Sequence, residues 1–306
     1  MDYRKANRVF LYGVLSTLVL TLLYALWVNI FPGDLNIILN NFLSEVVVLV
    51  PALAVVLFHG EKLGNVIIFK GIKIRSVLLT FLYVMLLYPL VTFVNSVSML
   101  FVDNTVLEAS GQILSLPIWQ VVISFGLFGP LVEEVVFRGV ILQSYQRTGR
   151  ILASIILSSF LFGIIHMNFN QFAYGAVMGV MFALLFEATG SVLTSFIAHA
   201  IFNTTEVVLM FASADAISEA QEYLDDFGVG NAQLISIGIY FVLAIIGTSL
   251  AMCVVYKMSE IEGRKAFMSG ITKCKKQGYK LITLPLIVAV ILAIAYMIMI
   301  EVLLSI

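Results

Sequence analysis

Two adjacent glutamates, Glu133 and Glu134, stand in the apolar run from Pro117 to Leu142, with Arg138 one helical turn later. A charged side chain at the centre of a membrane helix costs roughly 2.5 to 3.5 kcal/mol on insertion scales, so acids kept there generally have a task. Later apolar runs carry His166, then His199 with Asn203. A carboxylate beside an imidazole can hold a water molecule and take its proton. A second imidazole and an amide can donate hydrogen bonds to the oxygen that turns negative when water attacks a peptide carbonyl. Such a donor is worth about 10² to 10³ in rate in a preorganised site. Hydrolysis of an amide inside a membrane uses both halves.

Helical spacing divides the roles. Glu134 and Arg138 are four apart in the favourable order for an ion pair, and the guanidinium fork can hold a carboxylate through two hydrogen bonds. Glu133 points about 100° away, free to face another helix or a cavity. Pro130 starts or kinks this helix, because proline cannot donate the intrahelical hydrogen bond. A turn near Thr148-Gly149-Arg150 returns the chain as a second helix. Glu133 and His166 each lie roughly 24 to 26 Å from that turn at the helical rise, so a hairpin brings them to one level. His199 and Asn203 share a face about 14 Å from a turn near Gly190. The mismatch of roughly 10 Å between these helical distances disappears if the first hairpin projects farther toward its polar end, as Gln143, Gln146, Arg147 and Arg150 suggest. Glu206 follows Asn203 by three and is an accessory candidate on that face.

These groups need apolar rods to hold them. The chain of 306 residues is 61% hydrophobic and only 11% charged, far from the roughly 25% charge of soluble domains. A membrane helix needs about 20 mostly apolar residues, and nine runs qualify: 9–31, 39–58, 76–101, 117–142, 151–169, 172–188, 191–212, 231–256 and 281–304. The first follows Arg4, Lys5 and Arg8 and reads as an anchor, without a small-residue cleavage site. The expected fold is an all-α polytopic bundle of eight or nine spans. Its parts are N-terminal spans over 1–116, a catalytic core over 117–212, and C-terminal loops and spans over 213–306.

If the N-terminus is cytoplasmic and every run crosses, the inner segments hold Arg4, Lys5 and Arg8; Lys62, Lys70, Lys73 and Arg75; Arg138, Arg147 and Arg150; and seven more from Lys257 to Lys280. Together these are all 17 Lys and Arg residues. The outer loops carry Asp34, Asp103, Glu108, Asp215, Glu219, Glu222, Asp225 and Asp226. Such segregation supports a cytoplasmic N-terminus, and an outer C-terminus follows only from the odd number of runs. Segment 257–280 reads as a basic inner loop. Cys253 and Cys274 differ in depth and have no Cys or His at metal-ligand spacing, so they read as unrelated thiols.

With these residues assembled, the chain resembles the CAAX prenyl protease type 2 and bacteriocin-processing family of intramembrane proteases, called CPBP or Abi. The resemblance covers about 117–210, in the family's order: Glu133-Glu134-Val-Val-Phe-Arg138 for EExxxR, Phe162-Gly-Ile-Ile-His166 for FxxxH, and His199-Ala-Ile-Phe-Asn203 for HxxxN. It implies that Glu133 with His166 activates water, that Glu134 with Arg138 holds the scaffold, and that His199 with Asn203 stabilises the oxyanion. Phe162 enters as an accessory position of the second motif. Family members are often described as metalloproteases, so Glu133, His166 and His199 form an alternative ligand set for zinc of the two-His, one-carboxylate type. Asn203 and the separate Glu134–Arg138 pair fit a metal-free glutamate mechanism better, with no cofactor required.

The expected protein is a glutamate-dependent intramembrane endopeptidase acting on a membrane-associated peptide or protein near the cytoplasmic face. It lies in the lipid bilayer of a bacterial plasma membrane and needs no nucleic acid; the sequence does not indicate an oligomeric state. Two readings compete: a non-catalytic scaffold or bacteriocin-immunity protein that keeps the polar cluster as a packing centre, and a proton-coupled transporter using Glu133 and Glu206.

Overall fold

Nine long helices carry the chain in the computed structural model, which describes residues 1–30, 35–214, 230–273 and 280–304. They are α1 (Tyr3–Ile30), α2 (Ile37–Phe58), α3 (Ile74–Ser98), α4 (Ile118–Gln146), α5 (Ile151–Ile164), α6 (Phe169–Thr189), α7 (Val192–Ala212), α8 (Gly230–Ile261) and α9 (Leu284–Leu304). Short helices at Leu63–Val66, Thr105–Glu108, Ser110–Leu114 and Lys265–Gly270 lie in the connections, and no strand occurs among the described residues. The fold is an all-α bundle with, among the described residues, eight helices long and apolar enough to cross a membrane. Asp34, the acidic residues Asp215, Glu219, Glu222, Asp225 and Asp226, and Cys274 lie outside the described residues.

The ninth expected span, 151–169, is not a full helix. α5 has 14 residues, or about 21 Å of rise against a hydrocarbon core of about 30 Å. The helix stops because Asn168 caps the next one: its Oδ1 accepts from the Gln171 N–H at 2.7 Å, and its Nδ2 donates to the His166 carbonyl at 2.9 Å. Between them Met167 takes a left-handed φ of 56°. Thr105 Oγ1 lies 3.3 Å from Asn168 Oδ1, and Asn170 Nδ2 donates to Asn95 Oδ1 at 2.8 Å. Segment 165–170 thus reaches the bundle end where α3 finishes.

The loops rich in Lys and Arg meet at the opposite end. Arg147 pairs with Glu61 at 3.5 Å, the Lys73 N–H donates to Glu262 at 2.9 Å, and Arg264 Nε donates to the Glu187 carbonyl at 2.8 Å. Gly190 closes the turn between α6 and α7 with a φ of 72°, a left-handed conformation that costs glycine nothing. Ser191 then caps α7 and is tied to Lys70 through both its hydroxyl and the Lys70 backbone.

Helix α4 alternates in winding: α at Ile118–Val121, π over Val122–Phe128, α over Gly129–Glu134, π over Val135–Leu142, and α at Gln143–Gln146. Such wide turns cluster at functional sites. Here the first has a local cause. The Gly129 N–H donates to the Ser124 carbonyl, five residues back. In that register Pro130 would serve the Phe125 carbonyl, and proline has no N–H.

Two apolar cores meet along α4 to α7. One joins α1, α2, α4, α5 and α9 through residues such as Phe10, Val56, Phe137, Phe162 and Ala293; the other joins α3, α6, α7 and α8 through Tyr83, Phe182, Phe202 and Val255. The N-terminal and C-terminal spans therefore pack directly on the central segment. The polar residues singled out above lie at the seam between these cores.

Candidate active site

Arg138 is a fully buried charge, and its surroundings explain why it is tolerated. Its Nη1 lies 2.8 Å from Glu134 Oε1, with both side chains almost fully buried. Its Nη2 donates to the Gly179 carbonyl of α6 at 3.2 Å. The guanidinium carbon sits 4.3 Å from the Phe162 ring centroid and 5.4 Å from that of Phe182, where the ring faces attract a cation. Glu134 Oε1 has a second neighbour, His199 Nδ1 at 3.1 Å. The pair expected to hold the scaffold also orients an imidazole. A carboxylate behind an imidazole fixes its tautomer, so Nδ1 carries the proton and Nε2 faces away from Glu134.

His199 Nε2 faces Glu133. It lies 3.5 Å from Oε2, while His166 Nε2 lies 3.7 Å from Oε1 of the same carboxylate. His166 Nδ1 in turn meets the Phe162 carbonyl at 2.8 Å, which again leaves Nε2 turned inward. Glu133 is thus addressed on each oxygen by a different imidazole. Glu133 and His166 keep 17% of their side-chain surface exposed, against 0% for Glu134. This difference separates an accessible carboxylate from a sealed one, as helical spacing predicts.

The depths agree through the foreseen offset. Leu142 of α4 and Val192 of α7 pack in one apolar cluster. Nine residues separate Leu142 from Glu133, eight of them in π winding that rises less per residue than an α-helix, and seven separate Val192 from His199, about 10 Å of helical rise. The remainder of α4 and the turn at 147–150 extend beyond that level.

Phe162 is the wedge of the site. Its ring meets Phe137, His166 and His199 edge-on, at centroid distances of 5.2, 5.2 and 5.8 Å. On the other side Phe182 stacks on His199 at 4.8 Å and 29°. His199 therefore lies between one aromatic ring from each core.

Asn203 has a more structural placement than its sequence reading implies. Its Nδ2 donates to the Phe125 carbonyl at 3.1 Å, the acceptor that Pro130 leaves without its donor. One amide hydrogen is engaged there and the second is available. The approach of α7 needs Gly126, because a Cβ at that position would stand 2.6 Å from Thr204 Oγ1. Glu206 is exposed, and among the described residues no hydrogen bond or ion pair joins it to the site. Three features escaped sequence reasoning: the alternating winding of α4, the ring of Phe182 and the Gly179 carbonyl. Only Pro130 and the glycines of α4 hinted at the first.

A zinc ion is the cofactor implied by the family resemblance, and the donor arrangement tests it. The imidazoles approach different oxygens of Glu133, spanning the carboxylate. Among the described residues no group of three or more His, Cys, Asp or Glu side chains is arranged to hold a metal ion. The donors as placed do not fit a resident ion, and no step is drawn through one.

Residues 115–205 match the family described as Type II CAAX prenyl endopeptidase Rce1-like, a segment that contains all six motif residues and Phe162. This central segment is similar to that family, in agreement with the resemblance its motifs carry. A curated relative, "Putative membrane peptidase YdiL" of Bacillus subtilis (strain 168), is 33% identical over 89 residues. That match covers 29% of this chain and 36% of the relative, so the chain spans about a third of the relative's length. No solved structure matches.

Proposed function

We propose that this protein is an intramembrane endopeptidase that uses Glu133 as its base. The observation that carries this reading is the pair of contacts from one accessible carboxylate to two inward-facing Nε2 atoms, at 3.5 and 3.7 Å. The 3.7 Å separation is too long for a direct hydrogen bond and suits a shared water. The water donates one hydrogen to Glu133 and the other to His166 Nε2. As its oxygen bonds to the substrate carbonyl carbon, Glu133 takes the proton and the carbonyl oxygen becomes the oxyanion. Collapse of that intermediate breaks the C–N bond, and Glu133 returns the proton to the departing amine. The remaining Asn203 amide hydrogen is the donor for the oxyanion, joined by His199 Nε2–H in the imidazolium form of that ring. Glu134 and Arg138 hold His199 in place.

The substrate is a membrane-associated peptide or protein, and the cut lies inside the bundle, between the basic end, from which His199 is seven residues into the 21-residue α7, and the far end reached by the segment that holds His166. The gathering of basic loops at the former end supports a cytoplasmic N-terminus, and a bacterial plasma membrane is the setting this reading adopts. The test is cleavage of a peptide pool by purified protein in detergent, compared with Glu133→Ala and His166→Ala. Equal products from all three proteins would remove the proposal. The scaffold reading has no comparable support, because packing alone does not require two imidazoles aimed at a partly exposed carboxylate.

A further inference from the structure

Glu45 of α2 is a carboxylate that the proposed mechanism does not use. Its Oε1 lies 3.3 Å from where a Cβ on Gly129 would stand, so it rests on the face of α4 that glycine leaves bare. Gly129 is one α-turn, about 6 Å of rise, before Glu133, and the two carboxylates are electrostatic neighbours. Helix α2 is held firmly at this height. Asn41 Nδ2 donates to the Ser124 carbonyl at 3.3 Å and to its hydroxyl at 3.0 Å, and Phe42 stacks on Phe128 at 5.2 Å.

What distinguishes Glu45 is the lack of a partner. Glu134 has Arg138 and His199, and Glu133 has two imidazoles. Among the described residues, Glu45 makes no hydrogen bond or ion pair, and its oxygens are not sealed from the surface. Carboxylates held within a membrane are normally paired or line a pathway. Arg138 is engaged by Glu134 and the Gly179 carbonyl instead. Glu206, exposed on α7 three residues past Asn203, adds negative charge farther toward the same bundle end.

We propose that Glu45 is an acidic subsite that takes a Lys or Arg side chain of the substrate, about two residues from the cleaved bond. The spacing comes from an extended chain, which advances about 3.3 Å per residue, laid along α4 from Glu133 to Gly129. The subsite lies on the acidic-end side of the cut. It rests on the protease reading and names a substrate class for that site: membrane peptides with one basic residue about two residues from the cleaved bond.

The experiment uses the full chain in detergent with a random decapeptide pool, its products sequenced by mass spectrometry and aligned on the cut. The wild-type protein is expected to show at least tenfold enrichment of Lys and Arg at one position two or three residues from the cut. Glu45→Gln should erase the enrichment, and Glu45→Lys should replace it with Asp and Glu. A wild-type pattern without basic enrichment, or one that Glu45→Gln leaves unchanged, overturns the subsite while leaving the protease reading intact. Products that are the same for wild type and Glu133→Ala overturn both. The charge-reversed variant guards against misreading a folding defect, because a damaged protein loses products without inverting its preference.

Discussion

His199 Nδ1 lies 3.1 Å from Glu134 Oε1, so the carboxylate that neutralises Arg138 is also the one that sets the imidazole facing Glu133. The buried ion pair and the imidazole of the proposed mechanism are joined at one oxygen atom. Glu134→Gln keeps the shape but leaves Arg138 buried without its counter-charge and weakens the hold on His199. Removing one partner of a buried pair costs about 3 to 5 kcal/mol. Thermal unfolding in detergent should show a clear loss of stability for Glu134→Gln and Arg138→Ala. Cleavage should fall further than the folded fraction alone explains. A Glu134→Gln protein with wild-type stability and turnover would contradict this coupling.

Glu133 presents the reverse expectation. Its side chain is partly exposed and its neighbours are imidazoles at 3.5 and 3.7 Å, so removing its charge leaves no sealed cation behind. Glu133→Gln and His166→Ala should lower turnover by about 10² to 10⁴, the usual range for a general base. Unfolding temperatures should stay close to wild type. The scaffold alternative predicts retained biological activity in Glu133→Gln, so assaying both properties on one preparation separates the two readings.

The expected independence from metal follows from the same donors. Activity should survive prolonged treatment with a strong chelator, and metal analysis of the active protein should find well under one zinc per chain. Loss on chelation with recovery on adding zinc would return Glu133, His166 and His199 to the role of ligands and displace the shared-water mechanism.

The sequence exposed most of this site because its signals were local. Glu134 and Arg138 lie on one helix, and the pairing of Glu133 with His166 needed only equal distances from a turn. The all-α class followed from apolar runs of membrane length. The length of α5 was harder, since its residues stay apolar through Ile165 and the stop comes from Asn168 capping the next helix. The role of Asn203 was hidden for a different reason. Its partner is a backbone carbonyl, and backbone carbonyls are freed by winding, which residue type barely signals. Phe182 belongs to the same class, an apolar residue among many whose stacking on His199 exists only once α6 and α7 are packed.

Pro130 and Asn203 give a test of that winding. If the amide is needed at Phe125 because proline leaves the carbonyl without a donor, the two positions are coupled. Asn203→Ala should lose stability, with one hydrogen bond worth about 1 kcal/mol, and should lose turnover by about 10² to 10³ if its second hydrogen meets the oxyanion. Pro130→Ala supplies an N–H to the helix. Added to Asn203→Ala, it should recover stability while turnover stays low. Additive stability losses in the double variant would show that Asn203 does not answer the missing proline donor.

Gly126 tests whether the site depends on how closely α7 approaches α4. A methyl group there would stand 2.6 Å from Thr204 Oγ1 and 3.4 Å from the Thr204 Cα, so the hydroxyl must turn away and the backbone has little room to spare. Any outward shift of α7 is felt one turn away by His199 and immediately by Asn203. The site has no slack for this, because both residues work through contacts of 3.1 Å and 3.5 Å. A misplacement of about 1 Å can cost around 10² in rate. Gly126→Ala should therefore remain folded yet cleave about a hundredfold more slowly. Thr204→Ser, which keeps the clashing oxygen, should not relieve it, whereas Thr204→Ala, which removes that oxygen, should recover most of the loss. Full activity in Gly126→Ala alone would mean that the distance between these helices is not what assembles the oxyanion donors.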